Sequence, residues 1–378
     1  MSPRPPNRHR LAHWIPVLVV IGLTLLPWIT DKFYVQFVAK MMIMGIFAMS
    51  LDLLLGHAGL VSFGHAAFYG IGAYALALMT PAYQAANFWL SLAAAIGLSG
   101  LAALIIGFFV VRTHGIYFIM VTLAFAQMLF FVFHDTRIAG GTDGIFIDIR
   151  PDASLSRWVP FDLENFVHVY FVALACFALV YVLLRVLLRS PFGHVISGIR
   201  VNEPRMRSLG YRTFGYKLVC FSIGGAIAGI AGYLSALQFG VVNPEFLGWH
   251  LSAAVMMMVI LGGMGTVAGP ILGACVWMVL ELGLQDLPTV AGIDLGKHWQ
   301  LWMGSFIVLA SLWLPNGLLG LPSTLRAAFG ARTSQTGGQV LRPDGSTVPA
   351  DYPGGSTGAS IASETPLASV EARQAGNE

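Results

Sequence analysis

Apolar runs of about twenty residues recur along this chain, 88–111 and 166–184 among them. At 1.5 Å of rise per helical residue, such a run spans a hydrocarbon layer roughly 30 Å thick. Of the 378 residues, 56% are hydrophobic and only 10% are Asp, Glu, Lys or Arg. Soluble domains carry roughly 25% charged residues. A soluble chain of this length could bury a large core but could not cover it with so few charges; a bilayer removes that need. Backbone amides in lipid need partners within their own segment, so the chain reads as an all-α integral membrane protein.

Hydropathy predicts about ten spans, near 13–30, 33–55, 63–80, 88–111, 115–133, 166–184, 216–238, 249–264, 268–284 and 299–315. Arg4, Arg8 and Arg10 precede the apolar run from Leu11 to Thr30. That run is long for a signal peptide and no A-x-A-type site follows it, so a first transmembrane helix is expected. The segment 185–217 carries Arg185, Arg189, Arg200, Arg205, Arg207, Arg212 and Lys217 against one acid, Glu203, while 134–165 is acidic. Basic loops stay on the cytoplasmic side, which puts 185–217 and both termini in the cytosol and 134–165 outside. The expected organisation is a basic cytosolic N-terminus (1–12), a transmembrane domain (13–322) and a cytosolic tail (323–378). The tail, rich in Gly, Ser, Thr, Ala and Pro, is expected to be disordered.

Two glycine-dense stretches punctuate the membrane region: Gly56-His57-Ala58-Gly59 through Gly64-His65 to Gly72, and Gly262-Gly263-Met264-Gly265 through Gly269-Pro270 to Gly273. Paired interruptions of this kind point to an internal repeat with broken helices along a transport path. The competing reading is close packing through small residues, which Gly225-Ala226-Ile227-Ala228-Gly229 also suggests. Both readings stand at this point.

Several chemistries are missing. No Walker A pattern occurs, so the chain is not expected to hydrolyse ATP. Gly70-Ile71-Gly72-Ala73-Tyr74-Ala75 imitates a dinucleotide fingerprint but lies inside an apolar span with no strand before it. His57 and His65 lack an acidic partner at helical spacing, Asp52 being five residues before His57. Cys176, Cys220 and Cys275 sit singly in apolar runs and read as buried apolar residues. Lys40, Asp52 and Glu281 are the candidates for intramembrane charge, and none is a convincing midplane carboxylate for an ion-coupled carrier. A transporter without an engine or an ion relay must borrow its driving force. The stretch 190–217 is where a partner could attach: Val195, Ile199, Met206 and Leu209 are spaced for short amphipathic helices, with Pro204 at a kink or a helix start. A stripe of that kind can dock into a groove on a soluble subunit.

The run Leu53-Leu54-Leu55-Gly56-His57-Ala58-Gly59-Leu60-Val61-Ser62-Phe63-Gly64-His65, continuing to Tyr74, resembles the signature of LivM-type permeases of branched-chain amino acid ABC transporters. So do Gly115-Ile116-Tyr117-Phe118, Gly140-Gly141-Thr142-Asp143-Gly144, Ser190-Pro191-Phe192-Gly193 and Val259-Ile260-Leu261-Gly262-Gly263-Met264-Gly265-Thr266, in order over about 30–322. The resemblance implies an ABC importer permease forming half of a translocation pathway that works by alternating access. It implies a LivH-type companion permease, two cytosolic ABC ATPases that hold the ATP and Mg, and an extracytoplasmic solute-binding protein. This chain itself would bind no cofactor, its surroundings being membrane lipid and not nucleic acid.

Such permeases dock their ATPase through a Glu-Ala-Ala-x-x-x-Gly-like loop. Glu203 and Gly210 resemble its ends, with Pro204-Arg205 in place of Ala-Ala and one residue more between them. ATPase coupling is thereby expected at Arg200, Glu203, Arg205, Arg207, Leu209 and Gly210. The solute path is expected at Ser62, Gly64, His65, Tyr117, Thr122, Gln127 and Gln238, and binding-protein contact at Thr142 and Asp143. No catalytic or metal-ligating set is expected. Branched-chain amino acids are the leading solutes; urea, amides or aromatic acids are the alternative within the class, and an ion-coupled secondary carrier is the rival outside it.

Overall fold

The computed structural model describes residues 8–80, 84–136, 140–147, 149–153, 162–286, 288–290, 293–294, 296–313, 317–320, 339–341 and 347–349. The first unit, up to Leu321, is helical. Its helices are α1 (Arg8–Ile29), α2 (Lys32–Asp52), α3 (His65–Met79), α4 (Phe88–Val110), α5 (Ile116–Asp135), α6 (Phe166–Arg189), α7 (Pro191–Val201), α8 (Glu203–Ser208), α9 (Thr213–Phe239), α10 (Trp249–Gly262), α11 (Gly269–Gln285) and α12 (Trp299–Trp313). Each of the ten apolar segments coincides with one of these helices, while α7 and α8 occupy the basic segment. Five are long and apolar enough to cross a membrane: α2 with its extension to Ala58, α4, α5, α6 and α9. The chain is a multi-pass membrane protein.

Helices α3 and α10 are among the shorter apolar ones, and each is preceded by irregular chain. Before α3, α2 runs on into a single π-helical turn, Leu53–Ala58, which ends at Gly59 in the left-handed region (φ 71°). Before α10, a 3-10 turn at Pro244–Leu247 packs against α3, where Leu247 lies over Gly70. Ser62, Gly64 and Leu247 are all buried. Gly59 and Glu245, at the outer edge of the two turns, are exposed.

Helix starts follow from local chemistry. The Asn87 side chain accepts from the amides of Trp89 and Leu90 (3.0 and 3.1 Å), and Asn165 accepts from Val167 (3.0 Å), capping α4 and α6. The core gathers on α9, against which α3, α4 and α2 pack. Gly232 lies against the Tyr69 carbonyl of α3, and Gly229 against Ser99 of α4, so these helices approach backbone to backbone. At the end of the bundle away from α7 and α8, β1 (Ile145–Phe146) pairs antiparallel with β2 (Val241–Val242). Thr289–Val290 (β3) pairs with Ile293–Asp294 (β4).

Residues 322–378 form a unit of their own. Among its described residues, Gln339–Leu341 (β5) pairs antiparallel with Thr347–Pro349 (β6). Val340 and Val348 are β-formers. The remainder of the expected disordered tail lies outside the described residues.

Candidate functional site

The basic segment folds as two short helices. Pro191 opens α7 at its first turn, where a missing N–H costs nothing. Asn202 caps α8 by accepting from the Arg205 amide (3.0 Å), and Pro204 falls in the first turn of α8, the helix start expected of it. Gly210, at φ 89°, ends α8 in a Schellman motif: the Gly210 amide donates to Arg207 and the Tyr211 amide to Met206. Gly210 is thus the terminator of the helix.

The apolar stripe divides. Val195 and Ile199 are buried against the bundle and Met206 covers Gly198, so these three face inward and are not free to dock a partner. The helical period reports an apolar face and not what covers it. What the segment presents outward is Val201 (86% exposed), Leu209 (65%) and Tyr211, with Arg205 and Arg207 beside them.

Glu203 holds this segment in place. One carboxylate oxygen accepts from Arg207 (2.7 Å) and Thr213 (2.9 Å); the other accepts from Lys217 (3.0 Å) and stands 3.6 Å from the His114 ring. Partial burial works against ionisation, but the hydrogen bonds from Lys217, Arg207 and Thr213, with the Lys217 charge, outweigh it and hold the carboxyl down at about 2. Glu203 is therefore a tie from α8 to α9 and not an outward-facing charge.

A second polar cluster lies where the two glycine stretches meet. The π-helical turn stacks residues five apart, bringing His57 Nδ1 to 3.4 Å from the Asp52 carboxylate. The other Asp52 oxygen accepts from the Gly265 amide (2.8 Å) in the α10–α11 connection. Arg200, from the last turn of α7, donates to the Gly56 carbonyl. Sequence reasoning set Asp52 and His57 apart because five is the wrong interval for an α-helix; the signal was a spacing read with the wrong period. Lys217, Thr213 and His114 also went unmarked, although Lys217 was visible in the basic segment.

The expected path residues are only partly brought together. Ser62, Gly64 and Thr122 form one junction: the Phe63 amide donates to Thr122 (3.3 Å), the Gly64 amide donates to Ser62 (3.3 Å), and Gly64 abuts the Thr122 backbone. His65 is fully buried beside it, stacked on Phe47. Ser50 directs its one hydroxyl hydrogen to the Phe47 carbonyl, so His65 Nε2–H donates to Ser50 (2.8 Å). Tyr117 points away from this junction and is 71% exposed. Gln127 is half-buried farther along α5, and Gln238 lies at the opposite end of the bundle, donating to the Gln36 carbonyl (2.7 Å). Thr142 and Asp143 are exposed on a 3-10 turn after α5. A cleft of about 320 Å³ opens between α5, α7 and the π-helical turn, lined by Val61, Phe118, His114, Arg200, Glu203 and Lys217 among others. It adjoins the two polar clusters, and none of the seven path residues lines it.

The family described as "Branched-chain amino acid transport system / permease component" matches residues 33–312. The high-affinity branched-chain amino acid transport system permease protein LivM of Salmonella typhimurium (strain LT2) is 32% identical over 325 residues, 81% of this chain and 74% of that protein. Its counterpart from Escherichia coli (strain K12) is 31% identical over 312 residues, 78% and 71% of the two chains. The autoinducer 2 import system permease protein LsrC of Photorhabdus laumondii is 29% identical over 176 residues, 45% of this chain and 50% of that one. No solved structure matches the chain significantly.

Proposed function

The chain belongs to the branched-chain amino acid transport permease family, and on that premise we propose that it is a permease subunit of an ATP-binding-cassette importer. It forms half of the translocation pathway for branched-chain amino acids. A LivH-type permease forms the other half, two cytosolic ATPases supply the work, and an extracytoplasmic binding protein delivers the solute. All ten apolar helices cross or enter the membrane, the two glycine breaks belong to an internal repeat, and both termini lie in the cytosol.

The observation that carries this reading is the fold of the basic segment. Between two membrane-crossing helices, α6 and α9, it forms a pair of short helices with Val201, Leu209 and Tyr211 exposed and its other face fastened to the bundle. Apolar side chains beside Arg205 and Arg207 suit a groove on a soluble ATPase. Closure of the ATPases moves these helices, and the two permeases rock between outward- and inward-open states. Thr142 and Asp143, at the other end, suit contact with the binding protein. A relative whose name gives autoinducer 2 shows that permeases of similar sequence serve other solutes, so recognition rests mainly with the binding protein.

Uptake of labelled leucine by vesicles holding the whole complex tests the reading. Transport is expected to follow ATP and to persist when ion gradients are collapsed. A Val201→Asp/Leu209→Asp double variant is expected to insert normally and to lose at least tenfold in ATPase co-purification. Uptake that follows the ion gradient instead would return the chain to the secondary carriers.

A further inference from the structure

We propose that Arg200 is a positioning residue that latches the α7–α8 segment to both helix breaks at once, so that displacement of the segment reaches the breaks. The proposal rests on the reading of 185–217 as the ATPase-facing segment. Its geometry involves three stretches of chain. The guanidinium Nη1 of Arg200 donates to the Gly56 carbonyl inside the π-helical turn. A Cβ placed on Gly265, in the α10–α11 connection, would lie 3.2 Å from that same nitrogen and 3.1 Å from the Gly56 oxygen. A Cβ on Gly59 would lie 3.2 Å from Arg200 Cγ. The arginine therefore runs past Gly59 and ends beside Gly56 and Gly265, where a Cβ on Gly59 or Gly265 would crowd it.

The second half of the device closes the ring from the other side. Asp52, one residue before the π-helical turn, accepts from the Gly265 amide at 2.8 Å and holds the two breaks together. Gly265 has φ 80°, a conformation in which a side chain is strained, so glycine suits the turn that presents this amide to Asp52. Ile196 and Ile199, on the same helix α7, are buried. A planar, multi-donor guanidinium suits this place; a lysine ammonium could reach one carbonyl but would not fill the slot between the two backbones.

This assigns Arg200 a different task from Glu203. The carboxylate ties α8 to α9, the central helix around which the others pack; the arginine ties α7 to the breaks. A segment held only by Glu203 would swing with α9 and leave the breaks where they are.

The test joins a structural and a functional reading on the assembled transporter. Spin labels on Ser197→Cys and Met264→Cys, both exposed positions, in a background without the three native cysteines, report the distance between α7 and the second break. In the unmodified latch that distance is expected to stay narrow and constant through the nucleotide cycle; with Arg200→Ala it is expected to broaden. In parallel, solute moved per ATP hydrolysed is expected to fall at least tenfold in Arg200→Ala, with Arg200→Lys intermediate. An Arg200→Ala complex with unchanged distance distribution and unchanged transport per ATP overturns the latch. Should that variant not accumulate, Arg200→Lys decides: an unaltered ratio and distance overturn the proposal, a partial loss supports it. Failure of the unmodified chain to bind ATPases at all would strike the functional reading, which the label distances on the chain alone do not depend on.

Discussion

Helices α9 and α5 are both long enough and apolar enough to cross a membrane, and α5 is the more apolar of the two. Yet 67% of the most apolar window of α9 is buried in the bundle and only 17% of that of α5. Residue size separates them. The middle of α9 reads Gly224-Gly225-Ala226-Ile227-Ala228-Gly229-Ile230-Ala231-Gly232, whereas α5 carries Phe118, Phe125, Phe130, Phe131 and Phe133 and buries only Phe118, Thr122 and Ala126. Lipid tails are as apolar as leucine, so apolarity does not drive one helix inside another. Between these two helices size is the rule, small residues accompanying the buried position. Helix α2, its most apolar window 83% buried and with Met42, Ile43, Phe47 and Leu51 among its buried residues, reaches the interior with large side chains instead.

The sharpest way to break that comparison is to make α9 large. A Cβ at Gly232 would collide with the Tyr69 carbonyl and stand 3.1 Å from the Ala73 amide, both of them α3 backbone that cannot rotate away. Gly232→Leu is expected to cost several kcal/mol, at or beyond the upper end of the roughly 1–3 kcal/mol typical of overpacking. Thermal unfolding of the purified protein in detergent reads it, as a large fall in Tm or a loss of the monodisperse species. A Gly232→Leu protein of normal Tm would mean that α3 and α9 do not meet backbone to backbone.

The same contrast explains what was legible in the sequence. The apolar runs mark every long helix, because length and hydropathy are local properties. The glycines serve two uses at different places: Gly225, Gly229 and Gly232 pack helices, while Gly59 and Gly265 turn the chain where helices are interrupted. No local signal separates these uses, since each depends on what lies opposite. Asp52 and His57 looked unrelated because the π-helical turn that joins them has no evident mark in Leu53-Leu54-Leu55. Val195 and Ile199 were legible as one face of a helix, but the bundle covers that face. Ser62, Gly64 and Thr122 were singled out as small or polar and do meet; Tyr117 was chosen on the same grounds and points outward.

A gentler probe asks how firmly the α7–α8 segment is held to each of the two helices. Glu203 reaches α9 through Thr213 and through Lys217, whose side chain is only 4% exposed, but toward α5 it meets only His114, 63% exposed at 3.6 Å. Its pKa is depressed from 4.5 to about 2. A carboxyl with a lowered folded value contributes stability in full above 4.5 and loses it as pH falls toward about 2. The protection factors of amides across 203–213, with the intrinsic pH dependence of exchange divided out, are therefore expected to be flat from neutral pH down to about 4.5 and to fall below it. Glu203→Gln is expected to exchange faster at neutral pH and to show no such step, while His114→Ala leaves the profile almost unchanged. A His114→Ala effect as large as that of Glu203→Gln would place the anchor on α5 instead.

The smallest expected effect comes from a matched pair of phenylalanines. Phe221 of α9 is buried, with edge-to-face contacts to Phe68 (5.5 Å) and Phe118 (6.3 Å), while Phe131 of α5 is exposed. Phe221→Leu removes ring contacts that a leucine cannot replace and is expected to cost about 1 kcal/mol. Phe131→Leu exchanges one apolar surface against lipid for another and is expected to stay within about 0.5 kcal/mol of the unmodified protein. The measurement gains meaning when repeated with the companion permease present. If Phe131→Leu then becomes as costly as Phe221→Leu, the exposed side of α5 is a protein interface and not a lipid face. Its large side chains would in that case fill a seam between subunits, and the size rule would describe contacts within one chain but not those between two.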